Sequence, residues 1–286
     1  MKIKKNISLK NLSTFKIGGK GLYLIEVEKK EEIKKAILFS RKKKLSFFIL
    51  GNGSKVLFPD GTLNKVLIKI KIKNKRKIGE NKIIFGAGVL LKEAYHFAKN
   101  FSLSGFEYFS HIPGTIGGAI FMNASAFGKE IKDFLERVFV FDAKNFSFFW
   151  LEKKDLNFSY KKSIFQKEKN LIIIEGEFKL KKDKKEMIEK REKKFLKKRI
   201  ETQPLNFPSC GCIFKNPRSY SAGYLIEKSS LKGKKIGDAK ISEKHANFIL
   251  NLGQAKAEDV KKLISLIKKK VKEKFGVSLK EEIIVL

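Results

Sequence analysis

The chain has 286 residues, of which 42% are hydrophobic and 33% charged, a composition typical of a folded protein with two or three small domains. Its apolar runs, such as residues 171–174, are far shorter than the roughly 20 residues that a membrane helix needs. The basic N-terminus is followed by no apolar signal segment. We therefore expect a cytoplasmic protein with no membrane partner.

The net charge of +34 admits two interpretations. A basic protein can bind nucleic acid, but base-reading and phosphate-gripping sites favour arginine, and the cations here are nearly all lysines spread from end to end. A general lysine bias, as in many heat-stable proteins, fits that distribution better. We expect no nucleic-acid partner, although a positive field would help to recruit an anionic nucleotide substrate.

Cysteine and histidine are scarce. The two cysteines, Cys210 and Cys212, are separated by one residue, so a disulfide between them would be strained. The three histidines have no metal-ligand spacing, and we expect no metal site. The cysteines are then either packing residues or a reactive thiol.

The predicted elements follow one another along the chain in three groups. Strands over residues 23–27 and 47–50 flank a helix over 30–41 and form a small β-α-β unit, followed by strands over 66–70 and 83–87 and a helix over 91–100. Strands over 138–142, 146–151 and 171–180 come next. The charged stretch 181–199 is predicted to be an exposed amphipathic helix with Met187, Phe195 and Leu196 on its apolar side. A domain boundary near residue 202 precedes a helix over 257–275 and a closing strand over 278–286.

Three glycine-rich segments are candidates for chemistry. Gly51-Asn52-Gly53-Ser54 follows a strand and is either a plain tight turn or a loop whose N–H groups approach an anion. It lacks the features of a Walker loop or a dinucleotide fingerprint. Residues 112–128 are small, turn-prone or amide-bearing, which favours a cofactor against the backbone over a purely structural loop. Residues 208–217 hold two cysteines, Lys215 and Asn216. From these residues alone, a chemically active segment and a simple turn with two half-buried thiols are equally good interpretations.

Together, these segments resemble the UDP-N-acetylenolpyruvoylglucosamine reductase family over almost the whole chain. The matching motifs occur in the family's order: residues 13–19, 51–54, 112–118, 214–217, 222–227, 244–248 and 275–277, the last ahead of Glu282. The chain resembles the compact subtype, which lacks an additional tyrosine-bearing insertion.

The resemblance implies an α+β fold: an FAD-binding domain of the vanillyl-alcohol-oxidase (PCMH) type in two subdomains, residues 1–70 and 71–201, and a C-terminal α/β substrate domain, residues 202–286. It implies bound FAD and NADPH as co-substrate. NADPH would reduce the flavin, which then passes hydride to the vinyl terminus of UDP-N-acetylglucosamine enolpyruvate. We expect a monomer whose partner is this small UDP-sugar. The predicted cofactor-binding residues are Gly51, Asn52, Gly53, Ser54, Pro113, Gly114, Thr115, Gly117, Gly118, Asn123 and Gly128.

Carried over by position, the family's catalytic roles fall on Cys212, Glu282 and Lys161. Cys212 stands where the family has its serine proton donor; nearby cations could lower the pKa of this thiol and remove its proton. Glu282 takes the place of the acidic residue, a role that favours a raised pKa; without the resemblance it reads as a surface glutamate. Lys161 replaces the arginine of a Tyr-Arg-x-Ser-x-Phe pattern and loses its planar fork.

The remaining predicted contacts involve the substrate. They are Tyr160, Lys215, Asn216, His245 and Arg199, and Arg199 is also an alternative to Lys161 as the catalytic cation. Two rival functions stay open at this point: another flavin oxidase or dehydrogenase on the same scaffold, and a basic nucleic-acid-binding protein, which would leave the glycine-rich loops unexplained.

Overall fold

The structure is a computed structural model that describes residues 1–286. It contains six α-helices: α1 Glu31–Lys42, α2 Leu91–Asn100, α3 Ile116–Met122, α4 Lys185–Thr202, α5 Ala222–Lys228 and α6 Ala257–Phe275. Its eighteen strands are β1 Lys2–Ser8, β2 Lys20–Val27, β3 Phe47–Leu50, β4 Val56–Leu57, β5 Thr62–Ile70, β6 Lys75–Ile78, β7 Lys82–Gly86, β8 Leu103–Ser104, β9 Ser125–Ala126, β10 Lys129–Glu130, β11 Leu135–Asp142, β12 Ser147–Glu152, β13 Leu171–Lys179, β14 Lys181–Lys182, β15 Lys235–Ile236, β16 Ala239–Ile241, β17 Ile249–Asn251 and β18 Ile284–Val285.

The chain divides into two compact units. The first comprises Met1–Lys5, Tyr23–Asn52 and Lys65–Lys197; the second comprises Asn6–Leu22, Gly53–Asn64 and Lys198–Leu286. Two early segments thus belong with the C-terminal part, an association that local periodicity cannot reveal because it depends on contacts distant in sequence. The predicted three-part division at residues 70 and 201 stays a prediction.

The first unit contains a five-stranded sheet in the order β12-β11-β13-β7-β6, with every neighbouring pair antiparallel. Phenylalanine side chains fill its core, and Phe85, Phe106 and Phe178 meet edge to face or tilted. Helix α3 packs on this sheet where β13 carries Gly176. A Cβ at Gly176 would lie 2.8 Å from Ile120 Cδ1, so the missing side chain makes room for the helix.

The second unit is built around α6, whose buried face carries Val260, Leu263, Ile264, Ile267 and Val271. The carboxylate of Asp60 accepts hydrogen bonds from the Ala257 and Glu258 N–H groups (2.7 and 3.0 Å) and so satisfies donors at the start of this helix. A three-stranded antiparallel sheet, β15-β16-β17, completes the unit with the parallel pair β4 and β18.

The predicted elements exist with shifted bounds. The two strands of the predicted β-α-β unit, β2 and β3, lie in one sheet with β5 between them, in the order β1-β2-β5-β3. Two details of the prediction are wrong. Within α4 the buried side chain is Ile188, whereas the adjacent Met187 is 44% exposed. The closing strand covers only Ile284–Val285. No helix is both long and apolar enough to span a bilayer.

Candidate active site

In the first unit the structure brings two glycine-rich segments together. Gly51 and Asn52 follow β3, and the Asn52 side chain donates a hydrogen bond to the Pro113 carbonyl oxygen (2.9 Å), 61 positions along the chain. A Cβ at Gly51 would stand 2.7 Å from Thr115 Oγ1. The Thr115 side chain approaches the backbone this closely because Gly51 has no side chain.

The first of these loops offers unused donors. The N–H groups of Asn52, Gly53 and Ser54 donate no hydrogen bond within the protein. Gly53 has φ +65°, and a Cβ there would lie 1.9 Å from the Leu12 carbonyl oxygen, so the loop conformation requires glycine. Unclaimed main-chain donors in a turn of this kind suit phosphate or carbonyl oxygens of a cofactor.

The start of α3 offers no such donors. The N–H groups of Ile116, Gly117 and Gly118 bond to Val89 O, Ala87 O and Thr115 Oγ1, respectively (2.9, 2.9 and 3.2 Å). A Cβ at Gly117 would lie 2.9 Å from Ala87 Cβ, so this glycine serves close packing. Gly118 meets only an ordinary contact, 3.5 Å from Thr115 Oγ1, and leaves room for a ligand to approach the backbone.

Asn123 and Gly128 lie beyond α3. The Asn123 side chain is fully buried, and its amide donates to Glu130 Oε2 and to the Ser159 carbonyl oxygen (3.1 and 3.0 Å). These bonds show that Asn123 stabilises the local fold. Its predicted contact with a cofactor stays a prediction. Gly128, with φ +79°, has open space where a Cβ would be.

The Tyr160-Lys161 turn is also part of the first unit. Ser159 and Lys162 pair as a short antiparallel bridge, and Lys161 at its tip has φ +54°. Ser163 Oγ donates to the Phe121 carbonyl oxygen at 2.7 Å, which fastens the turn to α3. Tyr160 is 44% exposed.

In the second unit Asn247 holds the segment that follows Cys212. Its side chain accepts a hydrogen bond from the Phe214 N–H (2.9 Å) and donates to the Phe214 carbonyl oxygen (2.8 Å). Its carbonyl oxygen also accepts the Ile213 N–H (2.8 Å), and Cys212 bridges Phe248. Because Asn247 is buried, these bonds fix the backbone beside the thiol.

We expect Asn247→Ala to lower the free energy of unfolding by about 2–5 kcal/mol, because it leaves the buried N–H and C=O of Phe214 unpaired. Urea unfolding of the holoenzyme followed by circular dichroism measures this loss. Asn206→Ala, at an exposed asparagine of the same unit, is the matched control and should change stability little. Equal stabilities for the two variants would contradict the role assigned to Asn247.

Glu282 and Cys212 are joined through one ammonium group. Lys55 Nζ lies 2.8 Å from Glu282 Oε1 and donates a 2.8 Å hydrogen bond to the Cys212 carbonyl oxygen. The Glu282 N–H donates to the Ile213 carbonyl oxygen at 2.7 Å, and the Glu282 side chain is only 7% exposed. The structure therefore brings Cys212 and Glu282 together in one cluster, in which Glu282 is nearly buried and Cys212 is half-buried.

Sequence reasoning missed Lys55. A signal existed, since this lysine directly follows Gly51-Asn52-Gly53-Ser54 and precedes the buried pair Val56 and Leu57. Its position 2.8 Å from Glu282 stabilises the ionised carboxylate.

Burial and charge act on the remaining groups of this cluster. Burial lowers the pKa of Lys55, but the charge and hydrogen bond of Glu282, with contributions from Cys212 and Cys210 once these thiols ionise, outweigh the burial, and the pKa of Lys55 is raised. Burial raises the pKa of Cys210 to about 12, which keeps that thiol protonated at neutral pH. Burial lowers the pKa of Arg199, and the charge of Cys212 acts in the opposite direction, so Arg199 also lies within electrostatic range of Cys212.

The predicted substrate-contact residues of this unit flank the cluster in sequence. Lys215 N–H donates to the Lys280 carbonyl oxygen (2.9 Å), and Asn216 Oδ1 accepts the Ala222 N–H (2.9 Å). His245 packs on Phe248 with ring centroids 4.8 Å apart, and burial lowers the pKa of its imidazole. A cavity of about 480 Å³ in this unit includes neither Cys212 nor Glu282 in its lining, which consists of residues 200, 203–207, 240, 242–244, 250 and 252.

Comparison with known proteins finds two family models that match the chain. Residues 22–145 match the family model of an FAD binding domain, and residues 203–286 match that of the UDP-N-acetylenolpyruvoylglucosamine reductase C-terminal domain. The chain is 42% identical to the UDP-N-acetylenolpyruvoylglucosamine reductase of Caldanaerobacter subterraneus subsp. tengcongensis, over 99% of this chain and 93% of the relative. It is 40% identical to that of Fusobacterium nucleatum, over the full length of both.

A solved structure shows the same architecture. The UDP-N-acetylenolpyruvylglucosamine reductase of Thermus caldophilus superposes with a TM-score of 0.84 at 35% identity, covering 100% of this chain and 99% of that one. This likeness and the FAD binding domain match confirm the predicted α+β fold with a PCMH-type flavin domain and a C-terminal domain.

Proposed function

Because the chain belongs to the UDP-N-acetylenolpyruvoylglucosamine reductase family, we propose that it reduces UDP-N-acetylglucosamine enolpyruvate to UDP-N-acetylmuramate through the cluster of Cys212, Glu282 and Lys55. It is an FAD-dependent oxidoreductase of peptidoglycan synthesis. The observation that carries the proposed site is the ammonium of Lys55, which contacts Glu282 and the Cys212 backbone at 2.8 Å each.

The glycine-rich segments carry groups that fit FAD. The N–H groups of Asn52, Gly53 and Ser54 are available to its oxygen atoms, and the backbone at Gly118 and Gly128 is open to close approach. We propose that these positions, with Gly51 and residues 113–117, hold the cofactor. Bound FAD supplies the hydride that reduces the vinyl group, having taken it from NADPH.

The chain's own residues then manage one proton and the substrate's charge. Hydride and a proton add across the C=C bond of the vinyl ether, so the carbon next to the carboxylate must receive a proton. The Cys212 thiol gives that proton from Sγ, and solvent restores it later. Lys161, or Arg199 in its place, provides positive charge for the substrate's anionic groups, while Lys215, Asn216, Tyr160 and His245 contact the nucleotide sugar.

Glu282 acts in this scheme as a fixed charge. Its carboxylate is bonded to Lys55 and nearly buried, so its charge is screened less by water than a surface charge would be. Because Lys55 contacts both this carboxylate and the Cys212 carbonyl oxygen, the carboxylate lies close to Cys212, and its negative charge opposes early loss of the thiol proton to solvent. The thiol is thereby kept as an acid until the substrate carbon needs it.

We propose that NADPH is the reductant and that the protein works as a monomer in the cytoplasm. Through its supply of the peptidoglycan precursor, we propose that it supports cell shape and cell division. The high positive charge serves recruitment of the anionic substrate in this proposal, and no nucleic acid is a partner.

An absorbance spectrum and a coupled assay test the function. The purified protein should be yellow, release flavin on denaturation, and oxidise NADPH continuously only when the enolpyruvyl substrate is present. Protein without flavin would contradict the proposal. Oxygen-dependent NADPH oxidation with equal peroxide formation, unaffected by substrate, would instead indicate an oxidase on the same scaffold.

A further inference from the structure

Lys55 occupies a position that no motif of the sequence had assigned. Its side chain is 25% exposed and ends at two acceptors, Glu282 Oε1 and the Cys212 carbonyl oxygen. The two acceptors belong to segments that are also bonded directly, since the Glu282 N–H donates to Ile213 O. One ammonium thus links the loop of the thiol to the segment of the carboxylate.

We propose that Lys55 is a positioning residue of the substrate half-reaction: bonded to Glu282 and to the Cys212 backbone at once, it keeps the carboxylate ionised and leaves the thiol as the proton donor. The inference rests on the proposed function, because it concerns the roles of Cys212 and Glu282 in that reaction.

The balance of charge around the Cys212 sulfur decides how readily the thiol keeps its proton. Lys55 and Arg199 lie within electrostatic range of Cys212, and Cys210 interacts with Cys212, Lys55 and Glu282. Lys55 Nζ is 2.8 Å from both Glu282 Oε1 and the Cys212 carbonyl oxygen, so the carboxylate lies close to Cys212. Cys210 is buried and neutral, because burial raises the pKa of its thiol to about 12. Lys55 and Glu282 form a pair of opposite charges at 2.8 Å, so together they contribute little net charge at the thiol.

Removal of Glu282 and removal of Lys55 should therefore shift the pKa of the Cys212 thiol in opposite directions. Without Glu282, the ammonium of Lys55 and the guanidinium of Arg199 act unopposed, which favours the thiolate and lowers the pKa of Cys212. Without Lys55, the carboxylate of Glu282 loses its bonded ammonium, and its negative charge disfavours the thiolate of Cys212. If Lys55 only stabilised the fold, the two removals would not shift the pKa of Cys212 in opposite directions.

Alkylation of Cys212 by iodoacetamide as a function of pH tests this inference on the FAD-loaded holoenzyme, with mass spectrometry to distinguish Cys212 from Cys210. The pH midpoint should fall by about one unit in Glu282→Gln and rise by about one unit in Lys55→Met. Lys55→Arg keeps the charge and should stay near the wild-type midpoint. Lys262→Met, at an exposed lysine of α6, is the control for loss of one positive charge and should not move it.

Midpoints that move in the same direction in Glu282→Gln and Lys55→Met, or that do not move, would overturn the inference. If Lys55→Met does not fold, the fall in Glu282→Gln and the wild-type midpoint of Lys55→Arg remain as the two required results. Stopped-flow kinetics separates this inference from the proposed function. A wild-type enzyme that cannot pass hydride to the substrate defeats the function, whereas a working wild type with unmoved midpoints defeats only the role of Lys55.

Discussion

Replacing Cys212 with alanine is expected to slow reoxidation of the reduced flavin by substrate about 100- to 10,000-fold, the usual contribution of a general acid. Reduction of the flavin by NADPH should keep its wild-type rate, because that half-reaction needs no proton at the substrate carbon. Stopped-flow absorbance at the flavin band follows both half-reactions separately. The expected split between them is the signature of a group that acts on the substrate alone.

Two further variants give this experiment its controls. Cys212→Ser places the family's usual hydroxyl at the same position and should recover much of the lost rate. Cys210→Ala removes the neighbouring buried thiol, which is neutral and therefore should leave both half-reactions close to wild type. A similar loss in both half-reactions of Cys212→Ala would show that the thiol supports the fold and does not donate the proton.

Gly53→Ala is expected to cost the enzyme its flavin. With φ at +65°, the left-handed backbone alone disfavours alanine by roughly 1–2 kcal/mol, and the new Cβ would lie 1.9 Å from the Leu12 carbonyl oxygen. The loop must therefore move, and the N–H groups of Asn52, Gly53 and Ser54 move with it. We expect the dissociation constant for FAD to rise at least about 100-fold, a loss of two good hydrogen bonds.

Flavin content after purification and titration of the apoprotein with FAD measure this effect. Gly61→Ala is the matched control from the same unit, since a Cβ there has nothing within 4 Å and its φ is not positive. Stoichiometric flavin in Gly53→Ala, with an unchanged dissociation constant, would remove this loop from the cofactor site.

The sequence predicted the family, the α+β fold and the FAD chemistry, and the comparisons confirm all three. Helix α6 was predicted with its full bounds, because its apolar spacing is regular, acidic residues fill its first turn and Gly276 follows its end. The two glycine-rich segments were predicted from their small residues together with the family resemblance. The structure gives a reason for the small residues, because contacts of 2.7–2.9 Å leave no space for side chains at Gly51 or Gly117.

Other features could not be predicted from local patterns. The strand β5 lies between β2 and β3 in the sheet, and the hydrophobic pattern of a strand does not determine which strands are its neighbours. Lys55 directly follows the glycine-rich loop 51–54, but that position alone does not say what its ammonium contacts. Its significance comes from a carboxylate more than two hundred positions away, and only the folded chain places the two at 2.8 Å.

The parallel pairing of β18 with β4 has a consequence for the order in which the protein can fold. Val56 and Leu57 find their strand partners, Ile284 and Val285, only after the ribosome has made nearly the whole chain. Until then Asn6–Leu22 and Gly53–Asn64 lack most of the second unit, and closing such distant contacts is slow. The nascent chain must therefore carry the apolar side chains of these segments exposed, which makes this stage of biosynthesis the one where a chaperone has most to protect.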